Sequence, residues 1–299
     1  MKDGGILGGL HPFLKLLLLA LLMLGSTLVV LIVGFIIAYP FIGDEMLSGL
    51  GAGDMSINSL RYVQILSHLG LFIISAAGFG ILVGGKPARY FRAAKRPLGL
   101  SVLITAVIMV AAVPMVNFLL EVNQDLSLPE SMKGLEQWMR QSEEAAEHMT
   151  KILLDVSTPW GLLFNIFMIA VIPALGEEFI FRGAIQRIFR QWTGNVHIAV
   201  FIAAVLFSSM HMQFYGFLPR LMLGMVLGYM LVVTGNIWIP VFAHFFNNAM
   251  AVIFFYLVHN ELTGFEVENV GTGSIAPYAA AVSMFFVILL FRYMRRVET

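Results

Sequence analysis

The chain has 299 residues, 59% of them hydrophobic and only 12% charged, where an ordinary soluble domain carries roughly 25% charged residues. Lysine plus arginine and aspartate plus glutamate balance at 18 each, so there is no basic excess to attract nucleic acid, and the absence of cysteine excludes disulfides, thiol nucleophiles and cysteine-ligated metal. Composition therefore describes an integral membrane protein whose standing partner is the lipid bilayer.

A bilayer core takes about 20 consecutive apolar residues per helix. On that measure the sequence predicts eight spans, near residues 14–38, 60–84, 98–120, 160–186, 196–212, 217–234, 237–258 and 276–293. Lys2 and Lys15 precede the first span, as they would in a signal peptide. The apolar run from Leu16 to Ala38 is too long for a signal core and lacks a small-residue cleavage site, so it reads as a retained helix. No internal repeat of the kind found in many secondary transporters is visible.

The polar stretch 121–158 separates the third and fourth spans. Within it Met132, Leu135, Trp138, Met139, Ala145, Met149, Ile152, Leu153 and Val156 recur at helical spacing among acids and lysines. This predicts an amphipathic helix lying on the membrane surface. Ser127 and Glu130 have capping-box spacing, and Thr158-Pro159 marks the start of the fourth membrane helix. The expected fold class is all-α: a polytopic membrane helix bundle of about eight transmembrane helices, with one amphipathic helix on the outer surface. Residues 1–299 read as a single membrane domain, with 121–158 as its extramembrane segment.

Basic residues orient this bundle. With both termini cytoplasmic, the inner segments hold Lys2, Lys15, Lys86, Arg89, Arg92, Lys95, Arg96, Arg187, Arg190, Arg292, Arg295 and Arg296. The outer segments hold Arg61, Lys133, Arg140, Lys151 and Arg220, and Arg182 stays within the membrane. The stretches 41–59 and 259–275, expected as outer loops, contain acids and no lysine or arginine. The multi-pass protein is accordingly expected in the plasma (inner) membrane with both ends inside.

Polar groups are costly at membrane depth and usually mark function there. The fourth span carries Glu177 and Glu178 side by side, followed by Arg182. Glu178 and Arg182 are four residues apart and share a helix face, which predicts an ion pair. Glu177 is rotated by about 100° and is left free; a desolvated carboxylate without a cation suits a general base. Phe207 precedes His211 by one turn. His244 and Asn248 are again four apart, and both can donate hydrogen bonds to one oxyanion. Each feature alone also fits a structural role: an ion pair or proton relay, a satisfied histidine, or interhelical glue. His68, His197 and His259 have no evident polar companion one turn away and read as structural.

Taken as a set, Glu-Glu-x-x-x-Arg (177–182), Phe-x-x-x-His (207–211) and His-x-x-x-Asn (244–248), in this order on successive membrane helices, resemble the CPBP family. That family joins type II CAAX prenyl endopeptidases with bacteriocin-processing and immunity (Abi) proteins. The resemblance covers 160–258 as a catalytic motif core and implies intramembrane hydrolysis of a peptide bond in a membrane-associated protein or peptide, prenylated or leader-type. It implies Glu177 as the base that activates water, His211 as a holder of that water, His244 and Asn248 as oxyanion donors, Glu178 and Arg182 as orienting groups, and Phe207 in support.

The residues permit two versions of this chemistry. In one, glutamate-activated water needs no cofactor; in the other, Glu177, His211 and His244 ligate a zinc ion with one open position. The helix of soluble zinc peptidases, His-Glu-x-x-His, is absent, which favours the version without metal. Two further functions compete: a proton- or ion-coupled transporter, and a silent immunity or scaffold member of the family. At about 1.5 Å per residue, Glu177 lies about 15 Å from the inner exit near Arg187 and His244 about 12 Å from Asn236. On the same scale His211 lies about 22 Å from Val196. A cleft opening toward the cytoplasm is the resulting expectation, with His211 placed too deep for it.

Overall fold

The computed structural model describes residues 4–52 and 55–299; Lys2 and positions 53–54 of the acidic 41–59 stretch lie outside the described residues. Among the described residues all regular structure is helical. The principal helices are α1 (Pro12–Ala52), α2 (Ile57–Leu82), α3 (Gly99–Gln124), α4 (Lys133–Leu154) and α5 (Pro159–Thr193). They continue with α6 (Val196–Met210), α7 (Phe217–Thr234), α8 (Trp238–His259) and α9 (Ala276–Glu298). Among the described residues seven helices are long and apolar enough to cross a membrane, and α6 is a shorter apolar helix. The chain is an integral, multi-pass membrane protein.

Local chemistry explains most of the boundaries. Thr158 Oγ1 accepts the Gly161 amide at 3.1 Å with Pro159 in the first turn, which starts α5 where the sequence places it. Asn195 Oδ1 takes the amides of His197 and Ile198 at 2.8 and 3.3 Å to open α6. α5 and α7 end on Gly194 (φ 68°) and Gly235 (φ 64°), left-handed positions that glycine fills without steric cost.

Two expectations are corrected. Residues 41–52 are not loop, because α1 runs on through Pro40 to Ala52. A proline removes one helical hydrogen bond without forcing a stop, and the Glu-Met-Leu run beyond it favours helix although it is no longer apolar. The Ser127–Glu130 capping box does not form. Pro129 is extended (φ −54°, ψ 151°) where the box needs a helical residue, so a 3₁₀ turn at Glu130–Met132 leads into α4. Within α4, Arg140 donates to Glu136 Oε1 at 2.9 Å, which holds the Glu136 carboxyl below its usual range.

The ends of the helices sort onto two faces. On one face Gly5 and Leu7 donate to the carbonyls of Val83 and Leu82. Trp238 Nε1 and Asn236 Nδ2 there reach the Ala93 and Lys95 carbonyls, and Ser101 donates to Glu298. The N-terminal segment, the 84–98 loop, the α7–α8 turn and the C-terminus therefore lie together. On the opposite face Arg61 donates to Leu153 O, Asn260 to Val156 O and Asn117 to Val267 O, which places the α4 segment there.

Two apolar clusters fill the bundle. One gathers Leu19, Phe72, Phe79, Phe91, Ile180, Phe181 and Phe207 from α1, α2, α5, α6 and the loop after α2. The other gathers Ile108, Met115, Met230, Ile239, Val287 and Met294 from α3, α7, α8 and α9. α5 stands in the first cluster and α7 and α8 in the second, so side chains crossing between them occupy the seam. Small residues allow the close approaches. A Cβ on Gly70 of α2 would fall 2.6 Å from Thr27 Cα of α1, whereas one on Gly78 would meet only Leu22 Cδ2 at 3.9 Å. Gly70→Val should therefore part α1 from α2 and cost about 1–3 kcal/mol, the usual cost of overpacking. Gly78→Ala should be neutral, and thermal unfolding of the two purified variants in detergent measures the contrast.

Candidate functional site

α5 is irregular where it carries its charges. Wider π turns occupy Ile166–Val171 and Phe179–Ile185, leaving an α segment, Ile172–Glu178, between them. Such insertions rotate the downstream residues about the helix axis and recur at functional sites. Pro173 lies between them and has no N–H to give the carbonyl of Ile169, four residues earlier. Asn248 Nδ2 donates to that carbonyl at 3.2 Å across the α5–α8 interface.

Glu178 and Arg182 form the expected pair. Arg182 Nη1 meets Glu178 Oε1 at 2.7 Å, with side-chain exposures of 1% and 0%. The guanidinium also donates through Nη2 to Gly224 O at 3.1 Å and lies 4.5 Å from the centroid of the Phe207 ring. One turn on, Gln186 Nε2 donates to Gly228 O at 3.2 Å. Two polar residues a turn apart on α5 thus bond two glycine carbonyls a turn apart on α7. A Gly-x-x-x-Gly spacing is the sequence signal for such an approach, and Gly224-Met-Val-Leu-Gly228 provides it.

The same carboxylate holds His244. Its Nδ1 lies 2.8 Å from Glu178 Oε1; an ionised carboxylate only accepts, so Nδ1 carries the hydrogen. His244 Nε2 is then turned toward Glu177 Oε2 at 4.0 Å. Helical spacing could not reveal this contact, since α5 and α8 are far apart in sequence. Glu177 is buried and makes no ion pair with Arg182, in keeping with its rotation away from Glu178. Among the described residues its Oε2 has no hydrogen-bond partner. On its other side His68 Nε2 lies 3.8 Å from Oε1. His68 is thereby corrected from structural bystander to neighbour of the site. It also has a polar companion one turn earlier, Gln64, whose backbone carbonyl lies 3.2 Å from His68 Nδ1. The other two histidines read as structural do have simple polar partners, Tyr229 for His197 and Asp155 for His259.

Phe207 is the common floor. Its ring centroid lies 5.0 Å from that of His211, 5.7 Å from His244 and 5.3 Å from Phe181. His211 sits just beyond α6 with Nδ1 2.9 Å from the Phe207 carbonyl, and its described contacts are with Phe207 and not with either glutamate. Asn248 is one turn from His244 as expected, with its carbonyl oxygen taking Asn247 Nδ2 at 3.3 Å. One N–H of its carboxamide is committed to Ile169 O, which leaves the other for a further acceptor.

Exposure is uneven around the centre. Toward the 84–98 face Arg182, Ile185, Gln186 and Ile188 are all buried, and Leu231, Ile237 and Val241 pack with Phe179 and Trp238 beside them. The accessible rim is exposed His211 with half-buried His68 and Asn248, away from that packed face. Glu177, His211 and His244 do not converge as a zinc set: among the described residues no three histidine, aspartate or glutamate side chains stand close enough together to hold a metal ion.

The fold and site define a polytopic membrane protein with a buried carboxylate–imidazole centre on the seam of its bundle. Residues 159–250 match the family described as Type II CAAX prenyl endopeptidase Rce1-like. That segment runs from the start of α5 into α8 and contains all three motifs. Over that segment the chain is similar to this family of intramembrane proteases, which supports an intramembrane protease of CAAX type in general. Neither the comparison with curated proteins nor that with solved structures gives a match.

Removing Arg182 would strand the Glu178 carboxylate in a dry site, at a cost of about 3–5 kcal/mol for a broken buried pair. Arg182→Ala should lower both folded yield and the thermal midpoint of the purified protein. A variant with wild-type yield and midpoint would show that the pair is not structural.

Proposed function

We propose that the protein is an intramembrane endopeptidase that hydrolyses a peptide bond of a membrane-associated substrate, prenylated or leader-type, with water activated by Glu177. The observation that carries this reading is the division of labour between the adjacent glutamates. Glu178 Oε1 is taken up by both Arg182 and His244, while Glu177 is buried, has no cation bonded to it and faces imidazole nitrogens at 3.8 and 4.0 Å. One carboxylate builds the site and the other is left to react.

Glu177 takes a proton from water as the water oxygen attacks the scissile carbonyl carbon. His244, held through Nδ1 by Glu178, presents an Nε2–H to the oxyanion in its imidazolium form. The second N–H of Asn248 supplies another donor. Glu177 then passes its proton to the departing nitrogen, the C–N bond breaks, and a carboxylic acid and an amine leave, the acid giving its remaining proton to the amine on release. No step is routed through a metal, because the residues do not gather as a ligand set.

Glu177→Gln keeps the shape and removes the base. Cleavage of a quenched-fluorescent farnesylated CAAX peptide or a leader-type peptide in proteoliposomes should fall by about 10²–10⁴, with binding of the probe retained. Wild-type activity should survive exhaustive chelation. Full cleavage by Glu177→Gln, or wild-type inertness toward both probes, would overturn the reading.

The basic residues of the face carrying the N-terminal segment, the 84–98 loop and the C-terminus support a cytoplasmic position for that face, and hence α4 at the opposite surface of a plasma (inner) membrane. Reporter fusions after residue 299 and within 85–97 should give cytoplasmic signals, and one within 121–158 the opposite. A cytoplasmic signal from 121–158 would reverse the assignment.

A further inference from the structure

Glu177 has a neighbour that neither the motif set nor the family match includes. His68 belongs to α2, outside residues 159–250. Three contacts hold it in place. Its Nδ1 lies 3.2 Å from the Gln64 backbone carbonyl and 3.3 Å from the Gln64 carboxamide Nε2; the carbonyl, the shorter contact, can only accept and so selects the tautomer with the hydrogen on Nδ1 and a lone pair on Nε2. Its ring packs on Phe72 with centroids 5.5 Å apart. Phe72 in turn seats on Gly176, the residue before Glu177, where a Cβ would fall 2.5 Å from Phe72 Cβ.

Directly after His68 the helix widens into the π turn Leu69–Ile74. Gly70 in that turn backs onto α1, and Ser26 Oγ donates to its carbonyl at 2.6 Å. α2 is therefore pinned to α1 on one side and to α5 on the other at the level of the site.

With Nδ1 protonated, His68 Nε2 and Glu177 Oε1 are two acceptors facing each other at 3.8 Å. That separation is too long for a direct hydrogen bond, and two lone pairs have no reason to approach unless they share a donor. A water molecule satisfies both by donating one O–H to each, and its own lone pairs stay available for attack. His68 is half-buried at the accessible rim, so a water can reach the position.

We propose that His68 is the second acceptor for the attacking water: Glu177 takes one of the water's protons while His68 Nε2, oriented by Gln64, holds the other and sets the direction of attack. This rests on the reading of Glu177 as base.

The test compares His68→Leu, which deletes the acceptor, with His68→Gln, whose carboxamide oxygen can replace it. With the peptide probe that the wild type cleaves, His68→Leu should lower kcat by about 10²-fold, the scale of a mispositioned reactant, with KM unchanged. His68→Gln should recover most of that loss, and both should keep the wild-type thermal midpoint. In a Glu177→Gln background His68→Leu should add no further loss, because the two act on one water.

An unchanged kcat in His68→Leu would overturn the proposal, as would equal losses in both variants with a lowered midpoint, the mark of a structural role. If Glu177→Gln cleaves fully while His68→Leu does not, the failure lies in the assignment of the base. Independently of any substrate, ¹⁵N-histidine NMR in nanodiscs should show His68 protonated at Nδ1, with an Nε2 resonance that moves in Glu177→Gln. A proton found on Nε2 would overturn the proposal.

Discussion

The structure depends on keeping one guanidinium and one carboxylate together where water does not reach. Arg182 and Glu178 are 1% and 0% exposed, and isolated charges so buried would cost several kcal/mol each. The pair endures because every neighbour answers it. Gly224 gives its carbonyl to the guanidinium, Phe207 presents its ring face, and His244 donates to the carboxylate. These partners come from α6, α7 and α8, so neutralising one pair on α5 fixes the positions of three further helices. The same contacts exclude Arg182 from Glu177, and that exclusion gives the second carboxylate its chemical freedom.

Irregular helix geometry does much of the aiming. In an uninterrupted α-helix all backbone groups are consumed within the helix and side chains follow a fixed rotation. α5 departs from this twice around its glutamates and loses one donor at Pro173. The freed carbonyl of Ile169 becomes an anchor for Asn248, and the π turns alter the rotation of Arg182 and Gln186 relative to Ile166 and Met168. α2 shows the same device beside His68. A membrane interior tolerates such departures only where neighbouring groups satisfy the backbone again, and the neighbours here are the site residues themselves.

Burial is graded across the centre and makes the cleft directional. α5 is sealed from Glu178 toward the 84–98 face by aromatic packing, while His211, His68 and Asn248 form the accessible side. On the face opposite the 84–98 loop, α4 touches the segment just after His211: Trp138 packs on Phe214 with centroids 5.2 Å apart, and Glu143 accepts the Tyr215 amide at 3.0 Å. Trp138 of the α4 apolar pattern thus has a partner in Phe214, while Met132, Leu135 and Met149 of the same pattern are exposed.

Apolar run lengths alone determined the order and approximate extent of the apolar helices, and four-residue spacing determined the pairs that sit on a single helix: Glu178 with Arg182, Phe207 with His211. Those contacts are fixed by backbone geometry within one element, so they are legible before the fold is known. The boundary at Thr158-Pro159 was readable for the same reason, and the failed Ser127–Glu130 cap shows the limit, since one extended proline cancels a correct spacing. Contacts between helices belonged to the tertiary structure. That His244 binds Glu178, that Asn248 replaces the donor Pro173 lacks, and that His68 rather than His211 faces Glu177 all depend on how each helix is rotated about its axis. That rotation is set by glycine contacts such as Gly70 on Thr27 and Gly176 on Phe72, and by the phase shift of each π turn. Neither leaves a periodic trace in the sequence, because close packing is a property of two surfaces and each helix writes only one of them.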